Sequence, residues 1–589
     1  MRRALPLSLV LACSDGGGAS TTTTGATTTD AITTTDVTTP PASSTTDTPT
    51  GDTTAAPTSS TATTDVDPTT TGLTATTTDA TTDATTTDAT TGDPPPCRPG
   101  DETTCYSGDP DTADQGLCKS GLSTCDERGT WGPCVGEVLP ADEVCESPGD
   151  EDCDGVDPCA GEGLYEWHKN WGGSSDEDGV RVGFDASGAL ILAAKGASTS
   201  DFGGGPLMSA GSWDLYIAKF AADGTHLWSR RFGDAEPQFN ESWSLVVEPA
   251  GEFVIAGNFR GTMDLGGGPL KAEDLGDIFV ARFTGAGEHV WSTQFDCSNY
   301  AFPHGLGLAG DGDIYLAGTY TGTLDLGGGD LVAPGPTKDA FIARLTATGE
   351  HVWSAHFGDD KNQYIQALVV DDAGNTTVGG YFEGTMNPGN GPLVSAGGED
   401  AFIASFDPLG NAVAARRFGD ADFQELLAMT RGSDGRITVT GRFEGSMDLG
   451  GGPLLAPNLR GFVAQFTPDG DLLWSKLLAD GEVQPQAIAA DGYGTLVLSG
   501  FFNGSADFGG GPLLSEGGHD IFAVKLAPSG AHVWSKRFGD AAAQEALGVG
   551  AAKDGTSAIV GGHYGGVNFG GGPHNTLGGH DGFLAVFGP

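Results

Sequence analysis

Three observations predict an all-β fold, a seven-bladed β-propeller whose first strand closes its last blade. From Trp167 onward the chain repeats itself about every 60 residues, and self-similarity at a fixed period marks a repeat architecture. Each copy carries four short strand signals, the content of one propeller blade. The last copy stops one strand short, and a segment ahead of the first copy matches the missing piece.

The copies begin at Trp167, Trp228, Trp291, Trp353, Ala414, Trp474 and Trp534. Within a copy the strands read "ALVVD", "TTVGGYF", "DAFIASF" and "HVWSKRFG" or their equivalents. They are separated by turn sequences such as Asp372-Ala-Gly-Asn375 and Pro528-Ser-Gly530. In the third strand, "DIFVARF", Phe279, Ala281 and Phe283 face one way and Ile278 and Val280 the other. Both faces are apolar, as a strand between neighbouring blades requires. A glycine recurs mid-strand at Gly257, Gly318, Gly380, Gly441, Gly500 and Gly562. A missing side chain there admits a bulky neighbour, for which the repeated Trp is the candidate.

The final copy ends at "DGFLAVFGP", whereas "GEGLYEWHKNWGG" at 161–173 resembles the fourth strand of the other copies. Residues 164–171 are therefore expected to pair with 583–587, because an open ring would expose a strand edge and an apolar blade face. The phrases "DFGGG", "DxFxAKF" and "HVWSKRFGD" make 164–589 similar to the seven-bladed β-propeller repeat family of bacterial surface proteins. That resemblance implies architecture rather than an activity. Copies 1, 4 and 5 depart from the pattern, with Ala194 in place of the strand glycine, Asn387-Pro388, and Ala414 and Gly461, so local irregularity is expected in those blades.

The chain ahead of the propeller, 160–589, falls into three parts. Residues 1–12 hold two positive charges and a short apolar run that ends in Val10-Leu11-Ala12 before Cys13, the layout of a secretion signal. It resembles the lipobox of bacterial lipoproteins, which implies cleavage before Cys13, lipidation of its thiol and, with Ser14 following, sorting to the outer membrane of a Gram-negative cell. The apolar run is too short to span a bilayer, so the lipid would be the sole membrane anchor. Residues 13–96 are dominated by Thr, Ala, Asp, Ser, Gly and Pro. They are too poor in apolar side chains to offset the entropy of folding and read as a disordered stalk. Fully extended it would reach about 250 Å.

Residues 97–159 contain eight cysteines, Cys97, Cys105, Cys118, Cys125, Cys134, Cys145, Cys153 and Cys159. In an exported segment an even count reads as a disulfide module of undetermined pairing. Zinc is the competing reading, weakened by export and by the lack of paired Cys-x-x-Cys units. Inside it "PGDEDCDGVDPC" places Asp150, Asp152 and Asp154 at alternate positions ahead of Gly155, as in a calcium loop. The twelfth position is Gly161, so Asp157 or Glu162 would have to supply the closing ligand; a solvated acidic turn is the alternative. The expected calcium set is Asp150, Asp152, Asp154 and Asp157, and the stretch also resembles the metal-binding motif of MopE-like bacterial surface proteins, in which acidic runs surround a "DCDG" core.

With 79 acidic against 28 basic side chains and a net charge of −51, the chain repels phosphate, so nucleic acid is not an expected partner. The glycine-rich loops at Asp201, Asp264, Asp325, Asn387, Asp448, Asp507 and Asn568 lack the strand-to-helix junction and lysine of a phosphate loop. They read as hairpin turns, with one calcium per loop as the alternative. A second recurring Asp opens the third strand at Asp214, Asp277, Asp339, Asp400, Asp520 and Asp581 and also reads as a turn residue. His226, His289, His351 and His532 sit one per copy, which suits packing rather than a convergent metal site. Cys297 reads as a buried thiol. No Gly-x-Ser-x-Gly or His-Glu-x-x-His motif occurs.

Loops between blades and between second and third strands are expected on one face, where any ligand would meet the mouth of the central channel. The candidates on that face are Gln238, Tyr300, His304, Gln363, Tyr364, Gln424, Gln484 and Gln544, with Phe302 adding aromatic surface. The expected function is a surface lipoprotein whose propeller binds an extracellular protein or glycan. The alternatives are a propeller lyase or hydrolase acting on extracellular polysaccharide or small molecules, and a purely structural spacer.

Overall fold

The computed structural model describes residues 97–141, 150–151, 153, 161–238 and 243–589, all within Gly92–Pro589. Cys13 and the leader and stalk lie outside the described residues, as do Cys145, Asp152, Asp154, Asp157 and Cys159.

Seven four-stranded antiparallel sheets follow one another along the chain. The fourth is typical, with strands Gln363–Val370, Thr376–Phe382, Asp400–Phe406 and Ala412–Phe418 hydrogen-bonded in that order. Residues from the first strand of every blade line the central channel. Blades 1, 4 and 5, expected to be irregular, keep the same four-strand order as the rest.

The ring closes as the sequence predicts. Tyr165–Trp171 pairs antiparallel with Asp581–Phe587, Tyr165 opposite Phe587 and Trp171 opposite Gly582, and completes the seventh sheet. The apolar content of the third strand explains the packing. Asp214–Phe220 and Asp520–Leu526 are buried at every position, because each blade covers one face of its neighbour's sheet. One core cluster, for instance, joins Ile191, Ile217 and Phe232 of blade 1 to Phe253, Phe279 and Phe283 of blade 2.

The repeated Trp ties five of the blades to the next. The indole Nε1 of Trp167, Trp228, Trp291, Trp353 and Trp474 donates to a carbonyl in the last hairpin turn of the following blade, on Ala222, Gly285, Ala347, Pro408 and Pro528, at 2.7–3.2 Å. Where Ala414 replaces the Trp, Arg416 Nη1 donates to Gly470 O at 2.7 Å instead.

The mid-strand glycines therefore admit something other than the repeated Trp. A methyl group on Gly318, Gly380, Gly441 or Gly500 would overlap the carbonyl oxygen of Phe302, Tyr364, Glu425 or Gln484 on the adjacent first strand. Each of those oxygens lies just before a β-bulge, where the register slips by one residue. In the seventh copy the glycine in this role is Gly561, which faces Glu545 O, rather than Gly562.

In the cysteine-rich module Glu102–Cys105 pairs with Gly121–Thr124. Disulfides join Cys97 to Cys125, Cys105 to Cys134 and Cys118 to Cys153. A short segment that cannot bury much core is held this way by covalent loop closure.

Candidate functional site

The glycine turns are built alike in all seven copies. Oδ1 of Asp201, Asp264, Asp325, Asn387, Asp448, Asp507 and Asn568 accepts the N–H of the residues two and four positions on, at 2.8–3.2 Å. Asn serves as well as Asp, so the turn needs an oxygen rather than a charge. Both of those donors are glycines with φ between 94° and 134° in every copy, Gly450 and Gly452 among them, a region side chains disfavour.

The position of these turns differs from the expected one. They lie at the outer rim: the middle glycine of four turns covers the ring of His226, His289, His351 or His532, each the first residue of a fourth strand. Each of these histidines bonds a Ser three residues on through Nε2, at 3.0–3.1 Å. The hairpin between second and third strands thus folds back along the blade instead of standing at the channel mouth. Its apolar residues, such as Met263 and Leu265, fill the groove against the preceding blade.

The Asp that opens each third strand is more than a turn residue. Asp214, Asp400 and Asp520 are fully buried and pair with Arg231, Arg417 and Arg537 at 2.5–2.8 Å. In blade 3 the residue in the Arg position is His356, which bonds the Tyr320 hydroxyl at 2.8 Å. Burial, reinforced by Asp359, raises the Asp339 carboxyl to about 7.

Four of the expected ligand residues, Gln238, Gln363, Gln424 and Gln544, are fully buried inside the blade-joining loops. Their amides donate to Asp234, Asp359, Asp420 and Asp540 at 2.7–3.0 Å and do not line the channel. Gln484 accepts from Arg442 at 2.6 Å, and Arg442 also donates to Glu425 at 2.6 Å.

His304 does reach the channel. It occupies the bulge of its first strand, and the equivalent bulges project Val180, Gln366, Leu427, Gln486 and Leu547. These six side chains from six blades line one cavity of about 380 Å³, joined by Arg181 and Lys195 from blade 1. A bulge re-aims a side chain that strict alternation would direct elsewhere. Ser244, Leu306 and Met429 line the channel alongside the bulge residues. Burial, with Arg181 and Lys338 nearby, pulls His304 down to about 3, so its ring is neutral at physiological pH.

Around the mouth the copies differ strongly. The Tyr300 and Phe302 rings stack at 6.0 Å and those of Tyr364 and Tyr381 at 4.5 Å. The Lys338 ammonium lies 5.1 Å from both the Phe302 and the Tyr364 ring, and the Arg260 guanidinium 5.5 Å from Tyr300. In blade 4 itself, close enough to Tyr381 to act on its hydroxyl, burial and the charges of Glu425 and Glu383 raise Glu399 to about 7. Between blades 7 and 1, Asp178 meets Lys195 at 3.1 Å and His580 at 2.7 Å. Burial opposes the charge of Asp178, but these partners outweigh it and hold its carboxyl below the ordinary range.

In the module, Asp150 is buried and its carbonyl accepts Leu117 N–H at 2.8 Å; the other acidic residues of the expected calcium set lie outside the described residues. Among the described residues no three His, Cys, Asp or Glu gather as a metal-ligand set. Cys297 is buried, and its thiol lies 3.5 Å from Thr321 O.

No protein-family model matches the chain. Over 169 residues, 28% of this chain and 17% of the relative, it is 25% identical to the regulatory protein FlaEY of Caulobacter vibrioides. Over 371 residues, 51% of this chain and 26% of the relative, it is 25% identical to an uncharacterized WD repeat-containing protein, L264, of Acanthamoeba polyphaga mimivirus. The chain thus covers about a quarter or less of either relative. Among solved structures, the WD40 domain of Pan2 from Neurospora crassa aligns with 70% of this chain and 89% of its own, at 11% identity and a TM-score of 0.36. The assignment of a seven-bladed propeller rests on the strand pairing of the chain itself.

Proposed function

We propose that the protein is a surface-anchored binding propeller, tethered by a lipid on Cys13 and the stalk at 13–96, which takes an extracellular protein or glycan at the mouth of its channel. The observation that carries this reading is the bulge ring: one structural position presents Val, His, Gln, Leu, Gln and Leu in six blades, all toward one cavity. A spacer has no need to vary a position that its architecture repeats. Cavities of a few hundred Å³ with a few convergent polar groups are common ligand sites. The test is a binding screen of the full chain carrying Cys13→Ser, which removes the thiol for lipidation, against glycans and envelope proteins. A ligand whose binding is weakened by Gln486→Ala supports the reading; a ligand indifferent to every cavity substitution, or none at all, overturns it. Running the screen with calcium and with chelator tests calcium at Asp150, Asp152, Asp154 and Asp157, for which a drop in melting temperature on chelation is expected.

A second reading, a propeller lyase or hydrolase acting on extracellular polysaccharide or small molecules, is favoured by Glu399. A carboxyl raised to about 7 is protonated in part at neutral pH, as a general acid must be, and charged Glu425 helps to hold it there. Turnover of any glycan that binds, abolished by Glu399→Gln, would establish this reading. Binding without turnover retains the first.

A further inference from the structure

In a chain this acidic, three cations at one mouth stand without an acidic partner among the described residues. Arg181, Lys338 and Arg260 form no ion pair with any described residue, whereas the nearby Lys195 and Arg442 pair with Asp178 and Glu425. Arg181 is the most confined. Among the described residues its hydrogen-bond acceptors are two backbone carbonyls, Val180 O at 2.9 Å and Leu547 O at 3.3 Å, both reached by Nη1. A guanidinium carries five N–H donors, so Nε and Nη2 keep donors for the cavity that Arg181 lines. Burial lowers its pKa only to about 10, and the charge persists at neutral pH.

A desolvated cation is costly unless an anion completes it, and the neighbours here suit a particular kind of anion. The side chains of His304 and Gln486 line the same cavity and have no hydrogen-bond partner among the described residues. Gln366 makes only a long contact, 3.5 Å, to the Tyr381 hydroxyl. Uncharged amide and imidazole groups beside a cation match hydroxyls flanking an anionic group. At the rim of the cavity Tyr300, Tyr364 and Tyr381 are half-buried rings, and Lys338 and Arg260 lie against two of them. Half-buried rings present an apolar face beside a polar tip, which suits a pyranose, with one apolar face and polar edges.

Resting on the binding reading above, we propose that the ligand is an acidic saccharide, with its carboxylate or sulfate on Arg181, its hydroxyls toward His304, Gln366 and Gln486, and the adjoining sugar against Tyr300 and Tyr364 beside Lys338. An acidic peptide would use the same cations but would leave the amides and the tyrosine platform without a role.

The test is calorimetric titration of the full chain carrying Cys13→Ser with oligogalacturonate (carboxylated), sulfated dextran oligosaccharides, neutral dextran oligosaccharides and polyglutamate. The expected result is preferential binding of one anionic saccharide, which identifies the anion, with affinity that falls as salt rises. Arg181→Gln should weaken it by about tenfold or more, as loss of a charge-assisted pair does. Lys338→Gln, at a half-buried position outside the blade core, should weaken it by about threefold with the melting temperature unchanged. Equal binding of neutral and anionic saccharides, or of polyglutamate alone, overturns this inference and leaves the binding reading standing. No binding of any of the four, with another ligand found by the broader screen, has the same meaning. Unaltered affinity in Lys338→Gln and in a folded Arg181→Gln also overturns it.

Discussion

The outer rim and the channel mouth are assembled from the same repeat, yet they treat it in opposite ways. At the rim seven turns make the same pair of hydrogen bonds to one Asp or Asn oxygen. At the mouth one bulge position holds Val, His, Gln or Leu, and the cations, aromatics and carboxyls present differ from blade to blade. Positions that fold the ring are equivalent by necessity, since each blade must meet the next in the same way. Positions released from that duty are where a ligand can be recognised.

The largest expected effect comes from breaking what every blade shares. Deleting residues 161–171 removes the strand that closes the seventh sheet and the buried Trp171. The Trp alone is worth about 3–5 kcal/mol, so a fall in melting temperature of at least about 10 °C is expected by calorimetry. Next is Gly500→Val, whose side chain would overlap Gln484 O and push the first strand off its bulge; a loss of about 2–4 kcal/mol is expected in denaturant unfolding.

A smaller effect sharpens the comparison, because it concerns a buried Asp that recurs although its Arg partner is found in only three copies. Asp339 is buried without the Arg that serves Asp214, Asp400 and Asp520, and its carboxyl is raised to about 7. A raised carboxyl binds its proton more tightly in the folded than in the unfolded chain. Its contribution is therefore fully present below about pH 4 and is lost as pH rises through about 7. Asp339→Asn should flatten that fall, with a gain on the order of 2 kcal/mol at pH 8 and little change at pH 4. Melting curves at the two pH values check it. The smallest effect is a repair: Ala414→Trp restores the missing interblade indole beside a cavity of about 40 Å³ lined by Ile403, Phe418 and Phe466. A gain of about 0.5–1 kcal/mol is expected, in the same unfolding experiment.

The rim and the ring were legible in the sequence for the same reason that they are rigid. A period repeated seven times displays every shared contact, and the strand missing at Phe587 could be matched to the spare one before Trp171. The mouth was legible only in part. Tyr300, His304 and Tyr364 stood out as aromatics in variable loops; the structure places His304 in the channel and the two tyrosines in ring stacks beside it, Tyr300 on Phe302 next to His304 and Tyr364 on Tyr381 next to Gln366. Gln238, Gln363, Gln424 and Gln544 drew attention by recurring, and recurrence proved to be the mark of a buried loop clamp. Arg181, Gln366 and Gln486 escaped notice because they lie in or beside a bulge, where the two-residue alternation that assigns faces fails. The signal was present one strand away, in glycines such as Gly380 and Gly500, which make room for the bulge. The turn at Asp448 was misplaced to the mouth because sequence shows that a hairpin exists but not that it folds back along its blade.

The most direct test of this division of labour pairs one variant from each region and measures melting temperature and saccharide affinity on both. Asp448→Ala removes the acceptor for Gly450 and Gly452; it should lose about 1 kcal/mol of stability and keep wild-type affinity. Lys338→Gln with Gln486→Ala should keep the melting temperature and lose affinity by about tenfold. Affinity that falls with the rim variant, or survives the mouth variant, would contradict the account.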